Sequence, residues 1–212
     1  NNKLEVIALN NVPSIKENDD IAKIIIDNSR EDNLEIQKND IVVIAQKIIS
    51  KSEGRLIDLQ TVFASDQAKE IAKQASKDAR LVELIIQESN EIIRIQNGVI
   101  IVEHNLGHIL ANAGIDQSNI ENGDGHVLLL PKNPNKSADQ IRRDLELSLG
   151  VKVGVIITDS MGRAWRLGTT GHAIGSSGVK TIIDLRGKSK DLFGRELKTT
   201  VIGFADQIAS AA

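Results

Sequence analysis

The stretch "GVIITDSMGRAWRLG", residues 154–168, decides how this 212-residue chain is read. Gly154 leads into the β-branched run Val155, Ile156 and Ile157, the pattern of a buried strand, and Gly162 punctuates it as a tight turn. The pattern predicts a strand over 153–158 that delivers Asp159 and Ser160 at its carboxyl end. At such an edge, loops carry polar groups while the sheet holds them rigidly, and ligands collect there. Arg163 and Arg166 flank the only tryptophan, Trp165, and point to an anion. A second reading stays open, in which Asp159 only hydrogen-bonds its own turn.

Working outward, "IVVIAQKIISKSEGR" at 41–55 is a second apolar strand that passes into a basic, glycine-ended segment. Leu4 to Leu9 alternates enough to predict a strand, and Asp19-Asp20 opens a short helix over 21–30, with acidic residues at its positive end. Ser65 is the expected N-cap of a helix through "DQAKEIAKQASK". A second helix follows, with Leu81, Leu84, Ile85 and Glu88 at helical spacing, so that a helical lobe occupies about 65–90. Ile92–Ile95 and Val99–Val102 predict a β-hairpin across Gln96-Asn97-Gly98. Ser137 with Gln140 reads as a capping box for "ADQIRRDLELSLG", which Gly150 stops. The stretch 171–197 reads as loop-rich, and "TVIGFADQIASAA" at its end as helical. There is no internal repeat and no strict βαβ alternation. An α+β fold with mixed or antiparallel sheets and a helical lobe is expected, as a single domain over 1–212.

Composition removes several function classes. Zero cysteines exclude disulfides, iron–sulfur clusters, thiolate zinc sites and cysteine nucleophiles together. A net charge of −3 and 2% aromatic residues argue against general nucleic-acid binding, which needs a basic face or rings for stacking. No apolar run approaches the ~18 residues of a membrane helix. The start, Asn1-Asn2-Lys3-Leu4, has no secretory signal pattern, and its lack of Met is expected to reflect trimming. A cytoplasmic protein that binds neither membrane nor nucleic acid is expected.

The familiar catalytic motifs are missing. "GSSGVKT" at 175–181 breaks phosphate-loop spacing, because Val179 separates Gly from Lys and an apolar strand-like run follows where a helix is required. No GxGxxG occurs, and Ser160 lacks the Gly-x-Ser-x-Gly elbow. His104, His108, His126 and His172 are expected as solvated loop residues rather than zinc ligands. What remains are three polar strand ends: Gln46, Lys47 and Lys51; Asp116 with Asn119; and Asp159 with Ser160. Carboxylate, amide and hydroxyl oxygens are the hard ligands that Mg²⁺ or Mn²⁺ prefers, completed by water and phosphate, and the lysines complement phosphate. Spacing alone leaves Asp116 equally readable as a turn residue beside Gly114.

Three phrases then converge: "AQKIISKSEGR" at 45–55, "NAGIDQSN" at 112–119 and "VGVIITDSMGRAWRLGTTGHAIG" at 153–175. In this order, with "VPSIKENDD" near the start and "DLFGREL" near the end, the chain resembles the coenzyme F420-0:γ-glutamyl ligases. The resemblance implies an enzyme that joins L-glutamate to the lactyl carboxylate of the coenzyme F420 precursor and extends the chain through γ-linkages. It implies GTP as co-substrate, Mg²⁺ or Mn²⁺ at two sites, K⁺ as a further ion, and a homodimer. By the same resemblance Asp116 and Asp159 bind metal and are the catalytic pair, and Ser160 touches another metal. Val12, Pro13, Ser14, Ile15, Gln46, Lys47, Lys51 and Asn119 fall at GTP-binding positions, and Arg163 and Arg166 lie near an anionic substrate. The family continues beyond the equivalent of Ala212 with a loop carrying nucleotide contacts and another metal ligand. The expected chemistry passes the γ-phosphate of GTP to the precursor carboxylate, and the glutamate amine attacks the acyl phosphate. Two alternatives stand beside it: a related nucleotide-dependent amide ligase acting on another carboxylate, and a nucleotide- or metal-binding module without turnover.

Overall fold

The computed structural model describes residues 3–118 and 125–212. In chain order the elements are α1 (Ile21–Glu31), β1 (Ile41–Ala45), α2 (Gln46–Ser52), β2 (Leu56–Asp58), α3 (Asp66–Ala75), α4 (Ala79–Gln87), β3 (Ser89–Gln96), β4 (Val99–His104) and β5 (Ile109–Ala111). They continue as β6 (His126–Leu128), α5 (Pro134–Leu149), β7 (Gly154–Arg163), β8 (Arg166–Ser177), β9 (Ile182–Asp184), β10 (Val201–Gly203) and α6 (Phe204–Ala211). The fold is α+β. The central sheet runs β1–β7–β8, with β1 parallel to β7 and β7 antiparallel to β8.

Side-chain alternation along β7 builds both faces of this sheet. Val155 and Ile157 enter a core with Ile25 and Ile26 of α1 and Ile141 and Leu145 of α5. Ile156 points the other way and packs with Ala205 and Ala209 of α6. Two glycines of β8 allow the helices close: a Cβ on Gly171 would lie 2.1 Å from the Ala209 carbonyl oxygen, and one on Gly175 would lie 2.5 Å from the Pro134 carbonyl carbon.

A second core joins α3 and α4 to the antiparallel sheet β3–β4–β5 and the ribbon β2–β6, through Ile71, Leu81, Ile85, Ile100, Val102 and Val127. Ser65 caps α3 as expected, its hydroxyl accepting from the Ala68 amide at 3.2 Å. The β3–β4 hairpin and the Gly150 stop, in the left-handed conformation, also follow the sequence reading.

Several expectations are corrected. Leu4–Leu9 forms no strand among the described residues; the segment pairs with no sheet edge and is exposed up to Leu9, which packs against the main core. The basic segment that follows β1 is the helix α2, for which the sequence reading assigned no element. α5 begins at Pro134, with Asn133 as N-cap accepting from the Lys136 amide at 3.0 Å; Ser137 lies inside the helix and donates to Glu53 Oε1 at 2.6 Å. The expected terminal helix is α6 over Phe204–Ala211, but its first residues, Val201–Gly203, form the short strand β10 instead. β7 runs on to Arg163, so Asp159 and Ser160 sit within it. His104 is not solvated: it is 2% exposed, and its Nδ1 accepts from the Leu106 amide at 2.9 Å. No helix among the described residues is long and apolar enough to cross a membrane.

Candidate functional site

The site forms where the two strands of the parallel pair part. β1 pairs with β7 only as far as Ala45 opposite Thr158. There β1 turns into α2, while β7 continues with β8 as its sole neighbour among the described residues, so Asp159 is the first residue of β7 without a parallel partner there. The start of α2 borders the gap. Gln46 is buried, and its Oε1 accepts from the Ser50 hydroxyl at 2.8 Å.

Asp116 reaches the same place from the other core. The preceding turn strings together Asn112, Ala113 and Gly114, all in the left-handed region at φ 51°, 53° and 65°. Asn and Gly tolerate this conformation best, and they flank Ala113, which adopts it between them. Asn112 Oδ1 fixes the turn by accepting from the Ile100 amide at 3.1 Å. Asp116 then bridges Leu128 through paired backbone hydrogen bonds of 2.9 and 2.8 Å. Its carboxylate is left free to face α2.

Lys47 joins the two segments. Its ammonium forms an ion pair with Asp116 and donates to the Ser118 hydroxyl at 2.9 Å, while the Ser118 amide donates to Asp116 Oδ1 at 2.7 Å. Burial pulls the Asp116 carboxyl upward, but the Lys47 ammonium and the Ser118 donors outweigh it and hold the group below its ordinary range. Asp159 behaves oppositely. Burial pushes its carboxyl up and the negative charge of Asp116 adds to this, against the weaker opposing pull of its hydrogen bond with the Ser160 amide, Lys47 and His172. The two carboxylates, 43 residues apart in sequence, therefore share one electrostatic field. Asp159 has no ion-pair partner among the described residues, and its charge is only partly offset.

His172 is the neighbour that sequence reasoning missed. It lies opposite Asp159 in the β7–β8 register, and its Nδ1 donates to the Thr170 carbonyl at 3.0 Å, which leaves Nε2 unprotonated when the ring is neutral. The sequence signal was available only through the hairpin register. Ser160, by contrast, is on the opposite face of β7 from Asp159. It pairs with Gly171, whose missing side chain would point at α6 and whose carbonyl accepts from the Ser210 hydroxyl at 2.7 Å. One ion cannot be held by both the Asp159 and Ser160 side chains. On the Ser160 side, the Thr158 hydroxyl is buried without a hydrogen-bond partner among the described residues.

The remaining expected positions divide. Lys51 lies one helical turn beyond Lys47 on α2, on the same side. Val12, Pro13 and Ser14 are exposed on an irregular segment and Ile15 is buried in the main core. No hydrogen bond or ion pair among the described residues ties them to the carboxylates. Asn119 lies outside the described residues. Arg163 and Arg166 sit at the far end of the β7–β8 hairpin, facing each other across its turn. Among the described residues no group of three or more His, Asp or Glu side chains converges to hold a metal. The donor set is therefore a carboxylate pair with a lysine between its segments. This suits a hard cation that keeps water and phosphate oxygens as its other ligands, and is too sparse for an all-protein zinc cage.

Comparison with known proteins agrees with the resemblance read from the motifs. The family model described as F420-0:Gamma-glutamyl ligase matches residues 10–212. A protein of Methanocaldococcus jannaschii named coenzyme F420:L-glutamate ligase is 47% identical over 177 residues, covering 84% of this chain and 70% of that protein. Proteins of the same name from Methanococcus maripaludis (strain C6) and Methanopyrus kandleri are 44% and 43% identical, covering 99% and 93% of this chain and 81% and 75% of theirs.

Proposed function

Because this chain belongs to the F420-0:gamma-glutamyl ligase family, we propose that it joins L-glutamate to the lactyl carboxylate of the coenzyme F420 precursor, with GTP as co-substrate, and adds further glutamate through γ-linkages. The observation that carries the reading is the Lys47–Asp116 ion pair at the start of α2, where β1 leaves β7 and Asp159 is the first residue of β7 without a parallel partner. Two carboxylates with one charge largely uncompensated fit a divalent cation, and Lys47 supplies a point charge suited to a phosphate oxygen. Mg²⁺ or Mn²⁺ held by Asp116 and Asp159 would neutralise phosphate charge during transfer. Ser160, on the other face, belongs in this reading to a separate ion.

In the proposed reaction, an oxygen of the precursor carboxylate attacks the γ-phosphorus of GTP, and the bond to the β-phosphate oxygen breaks with its electrons leaving on GDP. The product is an acyl phosphate. The neutral amine of glutamate then attacks the acyl carbon, the C–N bond forms, phosphate leaves, and the amine proton passes to water. The chain's part is to bind and orient. Asp116 is fixed by its bridge to Leu128 and by Ser118, Asp159 by β8, and Lys47 by the first turn of α2, so the charged groups stand in place before the substrates arrive.

The test is an omission series. Protein is incubated with GTP, Mn²⁺, glutamate and coenzyme precursor, each left out in turn, and GDP is measured. GDP release that requires both the precursor and the amine supports the ligase. Release that proceeds without the precursor, or nucleotide binding with no release, removes it.

A further inference from the structure

We infer that Lys47 is a stand-in cation: its ammonium, paired with Asp116, gives that carboxylate up to the divalent ion and turns to a phosphate of the nucleotide, so that metal and nucleotide load as a coupled pair. The nucleotide half rests on the ligase reading. The metal half rests on the surroundings of Asp116.

Both oxygens of the Asp116 carboxylate already have a donor. The Ser118 amide donates to Oδ1 at 2.7 Å, and the Lys47 ammonium pairs with Oδ2. A hard cation bound there needs a carboxylate oxygen for itself, and an ammonium on the same oxygen repels it. The two cations therefore compete for Oδ2. Which partner yields is set by how each is held. Asp116 is fixed by its backbone bridge to Leu128 and by the Ser118 amide, whereas Lys47 carries its charge on a flexible four-carbon stem. The ammonium is the part that moves.

α2 itself gives the ammonium no reason to stay. Lys47 is the second residue of the helix, at the end where backbone amides present positive charge, and the first turn holds no acidic residue. Its partners are the Asp116 carboxylate and the Ser118 hydroxyl, which accepts at 2.9 Å. The pair is also breakable, because the two side chains are 30% and 24% exposed and an ion pair open to water is worth little.

Charge balance gives the direction of the exchange. Lys47 lies in the field of Asp159 as well, so one positive charge faces two carboxylates. A divalent ion in the same place balances both and releases Lys47. The group of four then carries one net positive charge, which draws the ammonium and a phosphate oxygen together. Nucleotide thereby keeps Lys47 away from Asp116, and the metal keeps Lys47 available to the nucleotide.

Isothermal titration of Mn²⁺ into nucleotide-free protein reads the competition. Lys47→Met is expected to bind Mn²⁺ about fivefold tighter than wild type. Loaded with Mn²⁺, the same variant should bind the β,γ-imido analogue of GTP about tenfold more weakly. Ser118→Ala changes no charge and keeps the backbone amide on Asp116, yet removes one of the two acceptors that hold the ammonium, so a gain in Mn²⁺ affinity of about twofold is expected. In nitrogen-15 NMR, the Lys47 ζ-ammonium resonance is identified by its loss in Lys47→Met. It should move when Mg²⁺ and the analogue are added together, and also in metal-free Asp116→Asn.

Equal or weaker Mn²⁺ binding by Lys47→Met would overturn the inference, since the ammonium then does not compete with the metal. Unchanged or weakened binding by Ser118→Ala would do the same, reducing the effect of Lys47 to repulsion at a distance. So would a ζ resonance that keeps its metal-free position in the complex with Mg²⁺ and the analogue. GDP release that requires both precursor and amine, together with an unmoved Mn²⁺ affinity in Lys47→Met, would remove this inference and leave the ligase. The expected affinities in a chain that releases no GDP would keep it and remove the ligase.

Discussion

Replacing Asp159 with Asn should make the protein more stable and, by the proposed reaction, inactive. The side chain is nearly isosteric and its amide oxygen can still accept from the Ser160 amide, so packing is preserved. What changes is charge. Burial and the Asp116 carboxylate raise the folded-state pKa of Asp159 above its ordinary 3.8. A raised pKa means the folded state binds the proton more tightly than the unfolded state. The group's stabilising contribution is then fully present below about pH 3.8 and is lost as pH rises through the folded-state value. At neutral pH the ionised Asp159 is therefore a cost, because each tenfold difference in proton affinity between the folded and unfolded chain is worth about 1.4 kcal/mol. For a chain of this size 1 kcal/mol moves Tm by about 2–4 °C. Asp159→Asn should melt higher than wild type by that order at pH 7, and the gap should close as pH falls toward 4. A divalent ion reverses the ranking. At 100 times its Kd it stabilises wild type by about 2.7 kcal/mol, or roughly 5–11 °C, and the variant much less. Thermal melts of both proteins at pH 7 and pH 4, with and without Mn²⁺, measure all four quantities. A variant that melts lower at pH 7, a gap independent of pH, or an undiminished Mn²⁺ shift would each refute the reasoning.

Other outcomes follow from the same geometry. Asp116→Asn should leave Lys47 without its carboxylate and weaken Mn²⁺ binding by isothermal titration while far-ultraviolet circular dichroism stays unchanged; retained affinity would dissolve the carboxylate pair. Arg55→Met removes the guanidinium that donates to Glu88 Oε2 at 2.6 Å and to the Leu130 carbonyl at 2.8 Å, leaving a half-buried carboxylate beside His104. Denaturant unfolding should show a loss of about 3–5 kcal/mol. Thr158→Val replaces the buried hydroxyl that has no partner among the described residues and should be neutral or stabilising by about 1–3 kcal/mol in the same measurement. GTP should support turnover far better than ATP at matched subsaturating concentrations, since a site paired to guanine leaves its own polar atoms unsatisfied with adenine, at about 1–3 kcal/mol per buried group; equal rates would move the reading to the broader amide ligase.

The sequence by itself determined the elements whose signals are local. Ser65 caps α3 because its hydroxyl needs only the amide three residues on, and Gly150 ends α5 because a left-handed residue is needed there. The β-branched run at 155–157 specified a buried strand. Joint motif order was enough to indicate the family. Where the reading failed, the deciding partner was distant or absent. Leu4–Leu9 has the alternation of a strand and no edge to pair with, and the start of α5 was set by Asn133 and Pro134 rather than by Ser137, whose hydroxyl is taken by Glu53.

Tertiary structure alone decided the site. Asp116 sits on a loop bridged to Leu128 and Asp159 within β7, and only the packing of α2 between them brings Lys47 to Asp116 and lets one carboxylate raise the pKa of the other. Register placed His172 opposite Asp159 and separated Ser160 from it, although Ser160 is its neighbour in the chain. The physical reason is range: hydrogen bonds of caps and turns close within a few residues, whereas charge–charge coupling and strand pairing depend on distances in space that no local pattern encodes.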